Sequence, residues 1–107
     1  MAENAIEIKE NGQYKNINLN DMGNGDTITV TKRFTEGREV KTKFGTSYSC
    51  GVMYKGEEVS FLLSAKRHES YKVVGEEGDT LKITAELTEI EIDGTKKPFK
   101  VYHFDLL

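Results

Sequence analysis

Between residues 26 and 104, apolar and polar positions alternate with a period of two rather than 3.6, the pattern of half-buried strands. In Asp26–Phe34 (DTITVTKRF), Ile28, Val30 and Phe34 share one parity, and Thr27, Thr29, Thr31 and Arg33 share the other. This predicts a first strand, with Phe34 in the core. Val40–Phe44 and Ser47–Tyr54 predict a second strand broken at Gly45, where a bulge or bend would let the sheet curl. Val59–Leu63 predicts a third, with Val59, Phe61 and Leu63 inward. Asp79–Leu87 predicts a fourth, carried by Leu81, Ile83, Ala85 and Leu87. At Thr88 the parity changes, because Ile90 and Ile92 take even positions. A slip of one residue would turn the whole face over, so a bulge is expected there. Phe99–Phe104 closes the series behind Pro98, with Phe99 inward. Glu36-Gly37-Arg38, Lys55-Gly56-Glu57 and Asp93-Gly94 are the turn signals between these runs.

A different pattern separates the third and fourth strands. Ser64 is a plausible N-cap for Ala65–Val73, and Gly75 can end that short helix. Its apolar face is thin, and His68 reads as a surface residue. Before the first strand, Ile17 and Leu19 alternate and DMGNGD is dense in turn residues, while residues 1–16 read as an N-terminal arm or extra edge strand. The resulting order, three strands, a short helix, then two strands, is that of the five-stranded OB barrel. The expected class is therefore all-β, an OB-fold domain over residues 17–107 with its helix between strands 3 and 4.

Composition narrows the range of functions. A chain of 107 residues suits one domain. No apolar run approaches a membrane span, and MAENAIEIKENG lacks the apolar stretch of a signal peptide. One cysteine, Cys50, excludes an internal disulfide. A cytoplasmic, soluble protein is expected. Net charge is −3, but residues 27–72 carry nine basic and five acidic residues between two acidic flanks. Such segregation allows an anionic partner despite the acidic total.

Chemistry-bearing motifs are sparse. No glycine pattern cradles a phosphate, and His68, His103 and Cys50 lack the spacing of a zinc site. Ser64, His68 and Asp79 are the letters of a triad without a nucleophile elbow, so no catalytic residue, metal or cofactor is assigned. Cations are better placed. Arg33, Arg38, Lys41 and Lys43 fall on the loop between the first two strands, and Lys96 and Lys97 on the loop between the last two. Those loops flank the ligand channel of an OB barrel, where cations follow phosphates and aromatic rings stack on bases. Phe44, beside Gly45, is the foremost stacking candidate. Tyr48 and Tyr54 share one face of strand two with Cys50 and Val52; one face of that strand lines the core and the other the groove. Tyr102, opposite in parity to Phe99 and Val101, is expected to point outward with Lys100.

INLNDMGNGDTITV, YKGEEVSFLL and EEGDTLKITAEL together resemble the OB-fold single-stranded DNA-binding proteins, especially short archaeal-type domains related to replication protein A. The likeness spans about residues 17–104, and Gly78-Asp79 stands where that family opens its fourth strand. It lacks the usual tryptophan platform, since the chain has no Trp. The resemblance implies a non-catalytic binder of single-stranded DNA in replication or repair. RNA, a second copy of the chain, or a protein partner of an OB-like interaction module are the alternatives left open.

Overall fold

In the computed structural model, which describes residues 6–107, the alternating segments are strands and residues 65–72 are the only α-helix among the described residues. The strands are β1 (Lys9–Asn11), β2 (Tyr14–Asn16), β3 (Thr27–Lys32), β4 (Arg38–Thr42), β5 (Gly45–Tyr54), β6 (Glu57–Ser64), β7 (Thr80–Ile92) and β8 (Thr95–Leu106), with α1 (Ala65–Lys72) between β6 and β7. One eight-stranded sheet runs in the order β1-β2-β6-β5-β3-β7-β8, and β4 pairs with β5 off that path. The all-β class and the place of the helix are as expected. The strand count and the closure differ: the end strands β1 and β8 do not pair with each other, so the sheet is open.

Turn chemistry explains much of this order. Lys55 (φ 52°) with Gly56 (φ 78°), and Asp93 (φ 52°) with Gly94 (φ 77°), adopt the paired left-handed conformation that suits two-residue hairpins. The segment expected as one bent strand is in fact a hairpin. Lys43 and Phe44 turn the chain and Gly45 follows at φ +119°, so that β4 lies antiparallel on β5 with Arg38 opposite Ser49 and Thr42 opposite Gly45. No bulge occurs at Thr88 either. The β7–β8 register is unbroken from Leu81↔Leu106 to Ile92↔Thr95. Parity changes because, beyond Ala85, the two strands leave the body of the protein as a ribbon whose residues are exposed on both faces.

Ile28, Val30, Cys50, Val52, Val59, Phe61, Leu63, Leu81, Ile83 and Ala85 are all buried, which settles the inward face of β5 as the even one. Two of the three phenylalanines expected inside are outside: Phe34 is 54% exposed and Phe99 42%. In β8 the even residues Tyr102 and Phe104 face the core, so the outward expectation for Tyr102 is reversed. The position that Phe34 was expected to share with Ile28 and Val30 ends instead at Lys32, which is 1% exposed. Its ammonium donates to the carbonyls of Thr35 (3.1 Å), Tyr71 (2.8 Å) and Gly75 (3.3 Å), and lies 4.1 Å from the centre of the Tyr71 ring. A lysine stays inside because acceptors at the negative end of α1 satisfy it. Burial lowers its pKa, against smaller opposing effects of Cys50 and Asp79.

Helix α1 begins where Ser64 Oγ accepts the Arg67 amide at 3.4 Å. Its buried side is made by His68 and Tyr71, three residues apart and so on one face. Tyr71 meets Phe61 and Phe104 edge-on, at centroid separations of 5.7 and 5.5 Å. The N-terminal arm is a hairpin, its first five residues lying outside the described residues. It joins the sheet by a parallel contact, Asn16↔Ser60, and by the Ile6 amide donating to Tyr54 Oη at 2.9 Å.

Candidate nucleic-acid interface

The outer face of β5 and β6 carries small residues at Ser49, Gly51 and Ser60 and one large exposed side chain, Leu62. Ser49 and Gly51 of β5 lie beside Leu62 and Ser60 of β6. Two depressions of about 720 and 590 Å³ share Ser49 and Ser60, and so form one groove across this face. The wider end is walled by the loop 33–37 on one side and the β1–β2 hairpin, with Tyr14 and Lys15, on the other. The narrower end reaches Asn16–Asn20, Arg67 and Tyr102.

Phe34 is the ring that lies in this groove. A Cβ on Gly51 would stand 3.1 Å from Phe34 Cδ2 and Cε2, so the ring rests directly on the backbone of β5 in a place only glycine provides. The Arg33 guanidinium is 5.3 Å from the ring centre and 3.1 Å from Glu58 Oε2. The Arg33 amide donates to Gly51 O at 3.0 Å, which fixes the loop to the floor. Tyr14, 69% exposed, offers a second ring on the opposite wall. Neither Phe34 nor Tyr14 stood among the sequence candidates. The signal for Phe34 was Gly51, a glycine inside a strand that makes room for a neighbour.

Of the residues that were candidates, Arg33 and Arg38 line the wider end of the groove and Tyr102 the narrower end. Lys41 lies on β4, and Lys43 and Phe44 form the turn of the β4–β5 hairpin. Phe44 is 90% exposed with Lys43 Nζ 5.2 Å from its centre. Among the described residues, no ion pair involves Arg38, Lys41 or Lys43, so this hairpin presents cations not matched by a carboxylate contact. Lys96 and Lys97 are exposed near the tip of the β7–β8 ribbon, a separate element.

The remaining candidates have other work. Tyr54 is 1% exposed in the core. Tyr102 is 7% exposed, its hydroxyl 3.0 Å from Asn20 Oδ1 and its ring 4.8 Å from Arg67 Cζ. Lys100 ties β8 to the N-terminal segment by donating to Asn20 O (2.9 Å) and Met22 O (2.6 Å). None of these three extends a free group over the groove. Tyr48 is half-buried on the inner side, stacked on His68 at 4.0 Å with an interplanar angle of 4°. His68 is 3% exposed, not a surface residue. Its spacing from Tyr71 was the legible sign of burial.

The groove thus combines exposed rings, a small-residue floor and partly neutralised cations. Glu36 and Glu58 stand among Arg33, Arg38 and Lys15, so the positive field is moderate within it and stronger along the β4–β5 hairpin. Burial pushes the Cys50 thiol up to about 12, which suppresses the thiolate. Among the described residues no three His, Cys, Asp or Glu side chains gather as metal ligands, and no helix is long and apolar enough to cross a membrane. No family model matches the chain, and no curated protein or solved structure matches it.

Proposed function

We propose that the chain binds single-stranded nucleic acid along the β5–β6 groove without catalysing a reaction on it. The carrying observation is the Phe34 ring, packed closely on Gly51 and half open to solvent, beside Arg33 and the cations of the β4–β5 hairpin that no described carboxylate contacts. Bases stack on such a ring whatever their sequence, while cations follow the phosphates. The order β3, β5, β6, α1, β7, β8 agrees with an OB-type topology, in which β4 and the ribbon are elaborations of the two loops flanking the groove. DNA is the expected strand, in line with the resemblance drawn from the sequence. An RNA of equal length is the natural comparison, since its 2′-hydroxyl is what would set it apart.

A fluorescence-anisotropy titration with oligo-dT at several salt concentrations tests this reading. With about four phosphates contacted, log affinity falls against log salt with a slope of about −3, at roughly −0.7 per contact. Absence of binding at low salt overturns the proposal, and binding indifferent to salt removes its electrostatic part. Replacing Lys41 and Lys43 together by alanine is expected to make the slope shallower by about 1.4. Stability should stay within about 0.5 kcal/mol, as for most surface changes. Lys82→Ala serves as the comparison, since Lys82 is exposed on β7 and lines neither depression, whereas Lys9 lines the narrower one; equal losses from Lys82→Ala would mean diffuse charge rather than a site.

A second reading, a protein-interaction module, draws on one observation. Ile90, Ile92 and Phe99 project from one face of the β7–β8 ribbon and are 37, 46 and 42% exposed. Sedimentation over a range of concentrations would reveal self-association through it.

A further inference from the structure

We infer that His68 is a positioning residue for the groove, holding its loop wall through a hydrogen bond that only the neutral imidazole can make. The inference rests on the nucleic-acid reading for its consequence, but the bond itself can be followed without a ligand. Gly37 N donates to His68 Nε2 at 2.8 Å. An Nε2 that accepts carries no hydrogen, so the ring proton sits on Nδ1. The imidazole is held in this pose by the parallel Tyr48 ring 4.0 Å away.

Gly37 ends the loop 33–37 that carries Arg33 and Phe34, and Arg38 follows it directly. The backbone there presses against β5: a Cβ on Gly37 would stand 2.9 Å from Cys50 Sγ and 3.1 Å from both Ser49 O and Tyr48 Cβ. One end of the loop is therefore fixed by Arg33 N on Gly51 O, and the other by Gly37 N on His68. Lys32 adds a third link, from Thr35 O to the C-terminal end of α1. The groove wall hangs on the helix, and its attachment at Gly37 is the one made through an imidazole.

Protonating Nε2 places two donors face to face. The Gly37 amide loses its acceptor in a partly buried place, where an unmet donor is costly. The groups acting on the imidazole are Glu69, Lys72 and Tyr71 on α1, Lys32 on β3, Glu36 on the loop and Tyr48 on β5; Cys50 lies beside Gly37, and Glu39 of β4 stands opposite Tyr48 in the ladder. Burial lowers the His68 pKa, Lys72 and Lys32 lower it further, and Glu36 and Glu69 oppose them. The unfolded chain therefore binds this proton at a higher pH than the folded one does. The stability it confers is complete above the ordinary value near 6.5 and is lost as pH falls below it.

The test follows the Gly37 amide by NMR and hydrogen exchange from pH 8 to 5, with oligo-dT affinity over the same range. After correction for intrinsic exchange chemistry, protection at Gly37 is expected to fall together with the protonation of His68 as read from its ring resonances. Affinity is expected to weaken about tenfold once the ring resonances show His68 protonated, although added positive charge alone would strengthen it. His68→Gln, which has no titrating ring, should bind with little pH dependence, and His103→Gln should retain the wild-type profile. A Gly37 amide indifferent to His68 protonation overturns the inference, even if His68→Gln fails to fold. If oligo-dT does not bind at any pH, the nucleic-acid reading fails, and the amide measurement alone decides the attachment.

Discussion

Phe61→Ala is expected to remove about 3–5 kcal/mol of folding stability, a large share of the roughly 5–15 kcal/mol available to a domain of this kind. Phe61 is 2% exposed and stands opposite Cys50 in the β5–β6 ladder, edge-on to Tyr71. Tyr71 in turn packs edge-on against Phe104 of β8, so the ring set joins the sheet, the helix and the last strand. Removing the first ring leaves a cavity that a sheet strand cannot easily collapse to fill. Urea denaturation should show a lower midpoint with little change in slope. A loss below about 1 kcal/mol would mean that the site relaxes freely and that α1 is not seated on this cluster.

Phe34→Ala is expected to do the opposite. The ring is more than half exposed and touches mainly Gly51 and the Arg33 guanidinium, so folding stability should change by no more than about 1 kcal/mol. Oligo-dT binding should weaken by about 1–3 kcal/mol, the usual worth of one stacked base. Phe44→Ala is the informative companion. Its ring at the hairpin turn is almost free of packing, so it too should leave the fold intact. A loss at Phe34 without one at Phe44 confines stacking to the groove floor; the reverse would move it to the hairpin. Wild-type affinity in both variants would exclude aromatic stacking at either ring.

The contrast between these two phenylalanines shows what the sequence disclosed. Alternation identified the inward faces of β6 and of the first half of β7, because those strands are packed on one side along their length. Lys55-Gly56 and Asp93-Gly94 disclosed their turns through backbone conformation, which needs no knowledge of neighbours. Ser64 announced the start of α1 in the same way. Periodicity misled where a strand runs past the core. In the ribbon, Ile90, Ile92 and Phe99 carry the letters of a buried face but lie beyond the core and are 37, 46 and 42% exposed. In β8, Tyr102 appeared outward because its apolar neighbours were taken as the reference.

The candidate site was legible in its cations and not in its rings. Arg33 and Arg38 could be placed because a turn glycine lies between them and the flanking strands were clear. Phe34 was obscured by Lys32, whose burial depends on carbonyls at Thr35, Tyr71 and Gly75 that come together only in the folded chain. With Lys32 inside, the strand ends there and the next aromatic falls outside. His68 was misplaced for a related reason: a short helix with a thin apolar face buries whatever side chains point at the sheet, polar or not.

The position of β3 between β5 and β7 has a consequence for how the chain acquires its shape. Ile28 is paired with Ile83, about 55 residues further along. During synthesis at about 5–20 residues per second, β3 would therefore wait roughly 3–11 s for the strand that covers its other edge. Closing so long a loop before any reward from pairing also slows refolding of the finished chain, toward the millisecond-to-second range of sheet proteins with distant partners. Until β7 arrives, the row of Ile28 and Val30 is an open template for other chains, and aggregation is most competitive in that interval.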